Sequence, residues 1–105
     1  MTTWRLFTVL GPYTGKTIRL DDLIRIGREA ENEICISDGQ VSRAHAKIEK
    51  TDEGYLLTDL NSTNGTYVND KRISQPTPLR IGDSIIIGPA RFLILGDSTG
   101  NLGTN

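Results

Sequence analysis

A chain of 105 residues is long enough for one domain with a core that needs no disulfide, because a domain near that size buries roughly 60–68% of the surface its unfolded chain exposes. Lysines and arginines number 12 against 13 acids, a net charge of -1 that removes the strong electrostatic case for nucleic acid or an anionic membrane as partner. The single cysteine excludes an intrachain disulfide, no apolar run approaches the ~18 residues of a membrane span, and Met1 to Arg5 lacks signal-peptide character, so a cytoplasmic protein is expected.

Strand-like runs follow one another along the chain. They occupy Arg5 to Leu10, Thr17 to Leu20, Ile24 to Ile26, Ile34 to Ile36, His45 to Lys50, Tyr55 to Asp59, Thr66 to Val68, Ser84 to Ile87 and Arg91 to Leu95. Turn chemistry separates them, as at Asp38-Gly39, Asn64-Gly65, Asn69-Asp70, Gly82-Asp83 and Gly88-Pro89. In the fifth run, period-two spacing predicts Ala44, Ala46 and Ile48 on one face and His45, Lys47 and Glu49 on the other. Arg28 to Glu33 has room for one helical turn, too short to stand beside the strands. Cys35, between Ile34 and Ile36, reads as a small strand side chain rather than a reactive thiol. Many short strands with Gly-rich connections predict an all-β sandwich or barrel.

Residues 97–105, DSTGNLGTN, contain one large apolar side chain, Leu102, and read as a flexible polar tail or the start of a linker after a domain spanning residues 1–96.

The chemistry lies in three polar segments between the strands: Gly27-Arg28, then Ser42-Arg43-Ala44-His45, then Asp59 to Thr66 followed by Asn69. A guanidinium presents a planar fork of N–H donors that matches phosphate oxygens, and hydroxyls and amides add neutral donors around it. Ser42 and His45 also have the residue types of a nucleophile and its base. Three residues apart on an extended segment they point to opposite faces, and no GxSxG elbow is present, which speaks against a hydrolase. His45 is the only histidine and Cys35 has no partner at ligand spacing, so neither a metal nor any other cofactor is expected. On chemistry alone Asn64-Gly65 is a hairpin turn, since both residues tolerate positive φ.

In order and spacing, the three segments resemble the signature of the forkhead-associated (FHA) domain, a phosphothreonine-peptide recognition module, over about residues 4 to 96. The resemblance implies a two-sheet antiparallel β-sandwich of about 10–11 short strands with binding loops at one end. It implies phosphate contacts from Arg28, Ser42, Arg43 and Thr63, and a hold on the peptide backbone by the Asn64 amide, which both donates and accepts. Gly27, His45, Gly65, Thr66 and Asn69 are then loop scaffold, with His45 bracing the loops through hydrogen bonds. Residues flanking the phosphothreonine are expected to meet Asp38 to Val41 and Asn69 to Lys71.

The function implied is non-catalytic: docking of a protein phosphorylated by a Ser/Thr kinase, the partner being that kinase or its substrates, in signal transduction. Three alternatives compete with it. A phosphate-independent scaffold would use the same sandwich through its sheet faces. An oligonucleotide-binding barrel requires a basic groove with stacked aromatics, whereas the aromatics here are scattered singly. A hydrolase would rest on Ser42 and His45.

Overall fold

The computed structural model describes residues 3–96. Its strands are β1 (Arg5–Leu10), β2 (Thr17–Arg19), β3 (Leu23–Gly27), β4 (Ile34–Cys35), β5 (Ala46–Thr51), β6 (Gly54–Asp59), β7 (Thr66–Val68), β8 (Lys71–Arg72), β9 (Thr77–Pro78), β10 (Ser84–Ile87) and β11 (Ala90–Leu95). One sheet has the order β2-β1-β11-β10-β7-β8 and the other β4-β3-β5-β6-β9. The residues expected to form a tail, 97–105, lie outside the described residues.

Alternation builds the core between the sheets. Leu6 and Thr8 of β1, Phe92 and Ile94 of β11, and Ile85 and Ile87 of β10 point inward from the first sheet, and Ile24, Ile26, Ala46, Ile48, Tyr55 and Leu57 from the second. Each such aliphatic side chain contributes roughly 1.5–3 kcal/mol when fully buried. The Trp4 and Tyr55 rings, 5.2 Å apart, close the end that carries the start of β1, where the Tyr55 hydroxyl donates to Leu20 O.

The structure departs from the sequence expectation in four places. The sandwich is antiparallel except for β3 and β4, which run parallel. β4 is two residues long and pairs only with the last residues of β3, so a short loop replaces the dozen-residue crossover that a longer parallel pair needs. No helical turn forms at 28–33; the chain makes a turn closed by Asn32 N–H on Glu29 O, and the Asn32 side chain caps the same carbonyl. β8 and β9 were not among the predicted runs. Finally, Ala44 is exposed and His45 buried, because the regular strand starts only at Ala46 and the His45 ring turns inward to the Ser42 N–H and Gly65 O.

Strand direction gathers the loops after β1, β3, β4 and β6, and the β10–β11 turn, at one end. The Tyr13 hydroxyl joins the two sheets there by donating to Cys35 O at 2.8 Å.

Candidate functional site

The β3–β4, β4–β5 and β6–β7 loops enclose an open cleft of about 460 Å³ whose walls include Arg28, Ser42, Arg43, Thr63 and Asn64. All five side chains expected to meet ligand are thus brought together. Two guanidiniums line the cleft and no carboxylate does, so a chain of net charge -1 carries a locally cationic basin.

Arg28 follows the buried end of β3 and is held twice. Its backbone N–H donates to Ser42 O at 2.9 Å, and its side-chain Nε donates to Val41 O at 3.0 Å, which leaves the two terminal nitrogens for a ligand. Among the described residues no carboxylate pairs with it. Gly27 makes the approach possible: a Cβ there would lie 2.2 Å from Arg43 O. The Arg43 carbonyl is in turn capped by the Asn32 side chain at 2.9 Å.

Ser42 links two loops. Its hydroxyl accepts the Thr63 N–H at 3.1 Å, so its own proton is free to donate outward. His45 sits beneath, fully buried. Its Nδ1 accepts the Ser42 N–H at 3.1 Å, which fixes the neutral tautomer with the proton on Nε2, and that nitrogen donates to Gly65 O at 2.8 Å. The ring therefore meets the serine backbone and not its hydroxyl, and the nucleophile-to-base hydrogen bond of a hydrolase is not formed.

Asn64 donates from Nδ2 to Gln40 O at 3.0 Å, pinning the β6–β7 loop to the β4–β5 loop and leaving its carbonyl and second N–H open. Gly65 adopts φ +91, and a Cβ there would strike the Arg72 guanidinium at 2.6 Å. Thr66 is buried at the start of β7. Asn69 lies at the far end of β7, where its side chain donates to Asp83 and accepts the Ser84 N–H. Asn69 to Lys71 are consequently off the cleft, whereas Gly39 to Val41 line it.

A family model, the FHA domain, matches residues 24–88. The chain belongs to the FHA domain family. It is 36% identical over 89 residues to the oxoglutarate dehydrogenase inhibitor of Corynebacterium jeikeium, an alignment covering 84% of this chain and 61% of that protein. Among solved structures it is similar to Mycobacterium tuberculosis EmbR in complex with a low-affinity phosphopeptide, with a TM-score of 0.81 at 33% identity over 89% of this chain and 24% of that one. It is also similar to the FHA domain of an Arabidopsis thaliana hypothetical protein, with a TM-score of 0.86 at 31% identity over 98% of this chain and 92% of that one. The chain spans about three fifths of the Corynebacterium relative's length.

Sequence reasoning assigned no role to Asp59, yet it organises the β6–β7 loop of this FHA domain. Its Oδ1 accepts the Ser62 hydroxyl at 2.6 Å and the Thr66 hydroxyl at 2.7 Å, and its Oδ2 accepts the Ser62 N–H at 3.0 Å. Ser62 Oγ then accepts the Gly65 N–H at 3.0 Å. Burial works to raise the Asp59 pKa, and the Ser62 and Thr66 hydrogen bonds outweigh it, so the carboxyl is held below its ordinary value. The signal in the sequence is the aspartate itself at the start of a turn-rich stretch, since Asp and Asn side chains hydrogen-bond the backbone just after them.

Proposed function

We infer that the cleft binds a phosphothreonine in an extended peptide of a partner protein. The observation that carries this reading is the convergence of Arg28, Ser42, Arg43 and Thr63 on one open, carboxylate-free basin. A phosphate carrying about -1.5 to -2 charge at neutral pH finds two guanidiniums and two hydroxyl donors there. Neither it nor its surroundings are transformed: Ser42 is not paired with a base, and the domain acts by recognition alone.

The peptide lies across the loops with its backbone held by the open carbonyl and N–H of Asn64, as in recognition of phosphorylated motifs by arginine clusters. Gly39 and Gln40 form the exposed wall that meets flanking residues. The EmbR neighbour, solved with a phosphopeptide, supports the ligand class, and the inhibitor relative supports a regulatory rather than catalytic role. The partner is a Ser/Thr protein kinase or one of its substrates, and the setting is cytoplasmic signalling, free of nucleic acid and membrane.

The test is capture of a phosphothreonine peptide library on the immobilised domain, with half of the library first treated with phosphatase. Binding of the untreated half only is expected. Equal capture of both halves would replace this reading with the phosphate-independent scaffold.

A further inference from the structure

The outer face of the six-stranded sheet departs from the usual pattern of a solvated sheet. An antiparallel sheet with one wet face alternates apolar inward and polar outward. Here the outward positions include Phe7 of β1, Leu93 and Leu95 of β11, Ile86 of β10 and Tyr67 of β7, all half-buried. The registers place them side by side, Phe7 opposite Leu93 and Ile86 opposite Tyr67. At the end of β1 a register shift between Thr8 and Leu10 leaves Val9 and Leu10 exposed at 37% and 56%. The result is a run of apolar side chains across four strands, interrupted by Arg91 between Leu10 and Ile86 and by Ser84 opposite Leu93.

Its rim is cationic. Arg5, Arg19 and Arg72 occupy outward positions at its margins and Arg91 one inside it, opposite Leu10 and Ile86; Arg5 is cross-strand to Arg19 and Arg72 to Tyr67, and Arg5 Nη2 also donates to Gly96 O. Among the described residues Asp21 pairs with Arg19 at 3.9 Å and Asp70 with Arg91 at 3.6 Å, and both pairs are well exposed. The outer face of the other sheet is balanced instead, with Arg25 paired to Glu33 and Lys47 to Glu49. In a chain of net charge -1, the described residues place Arg5, Arg19, Arg72 and Arg91 with Asp21 and Asp70 on this face, and Arg28 and Arg43 with no carboxylate in the cleft.

We propose that this face docks an acidic amphipathic helix of a partner protein, its apolar side on Phe7, Ile86 and Leu93 and its carboxylates toward the arginines. Four neighbouring strands, β1, β11, β10 and β7, carry the apolar area. Three inter-strand spacings of about 4.8 Å give a width of about 14 Å, close to the rise of nine or ten helical residues. A helix laid on a sheet is also the ordinary way to bury such a face. Charge selects the occupant: a second copy of this chain would bring arginines against arginines, whereas an acidic segment neutralises them. The face lies on the side of the sandwich and the cleft at its loop end, so one partner can engage both, with the gain in avidity that two linked contacts bring.

The probe is an unphosphorylated fluorescent peptide of about 18 residues, with leucines at i, i+3, i+4 and i+7 and glutamates elsewhere, beside a twin with lysine replacing glutamate. Fluorescence anisotropy is expected to give binding of the glutamate peptide only, undiminished by saturating phosphothreonine peptide. Amide shifts in an NMR titration should centre on Phe7, Ile86 and Leu93. Ile86→Glu and Arg91→Glu should each weaken it tenfold or more with the thermal midpoint held, Leu93→Glu serving if Ile86→Glu fails to fold. Absence of binding, equal binding of the lysine twin, shifts centred on Ser42 and Thr63, or a concentration-dependent dimer that Ile86→Glu dissolves would each overturn the proposal. Failure of phosphopeptide binding alone would leave it standing.

Discussion

The Ser42 hydroxyl accepts the backbone N–H of Thr63 at 3.1 Å, so one side chain both latches two loops together and aims a proton at the cleft. Ser42→Ala removes the latch and a donor to a charged ligand, which is expected to cost about 1.5–3 kcal/mol, or ten- to hundredfold in affinity. Ser42→Thr keeps the hydroxyl and should retain most of the binding. Calorimetric titration with one phosphothreonine peptide checks both; an alanine variant within twofold of wild type contradicts the assignment.

Asp59 makes the loop acid-sensitive. Its folded pKa lies below the unfolded value of about 3.9, so its contribution is complete above that pH and is lost as pH falls through the lowered folded value. Asp59→Ala should cost about 1.5–3 kcal/mol at neutral pH and flatten the acid limb of the stability curve. Glu33, held down to about 2 chiefly by its hydrogen bond with Arg25, titrates in the same range. That pair is exposed and is screened in molar salt, where the Debye length is about 3 Å. Urea melts between pH 2 and 7 at high salt therefore report Asp59, and an unchanged acid limb in Asp59→Ala would refute its role.

Gly27 is required by contact, not by turn geometry. Since an added Cβ would sit 2.2 Å from Arg43 O, Gly27→Ala must separate β3 from the β4–β5 loop and break the Arg28 N–H to Ser42 O hydrogen bond. Peptide affinity is expected to fall at least tenfold, about 1.4 kcal/mol, together with a lower thermal midpoint. Wild-type affinity in this variant would show that the loops adjust freely.

Thr8 is fully buried on the inner face of β1, and its hydroxyl has no hydrogen-bond partner. Thr8→Val keeps the shape and removes the orphaned group, so it should stabilise the domain by about 1–3 kcal/mol without touching the cleft. Chemical denaturation decides it; a loss of stability would mean that the hydroxyl is satisfied in solution.

Much of this was legible because alternation and turn residues act locally. The strands carrying Leu6, Ile48, Leu57 or Phe92 were readable as apolar, β-favouring runs between turn residues, while Lys71-Arg72 and Thr77-Pro78 are too short to stand out and form by pairing with β7 and β6. Ala44 and His45 were placed by extending period two too far; burial of His45 is set by Ser42 and Gly65, twenty residues apart in the second case, which no local pattern encodes. The cleft-lining side chains Arg28, Ser42, Arg43, Thr63 and Asn64 were readable through the family signature, which fixes their spacing. Sequence proximity of Asn69 to Asn64 does not reveal that β7 carries Asn69 to its other end, outside the cleft lining. The Tyr13 bridge to Cys35 was equally hidden, since it joins two sheets from a loop.

The most direct test is a fluorescence-anisotropy titration of wild type and Arg28→Ala with one peptide in phosphothreonine, phosphoserine and unmodified forms. The account predicts saturable binding of the phosphothreonine form, weaker binding of phosphoserine, none of the unmodified peptide, and a loss of tenfold or more in Arg28→Ala, about 1.4 kcal/mol or greater. Equal binding of all three forms, or an Arg28→Ala variant indistinguishable from wild type, would contradict it.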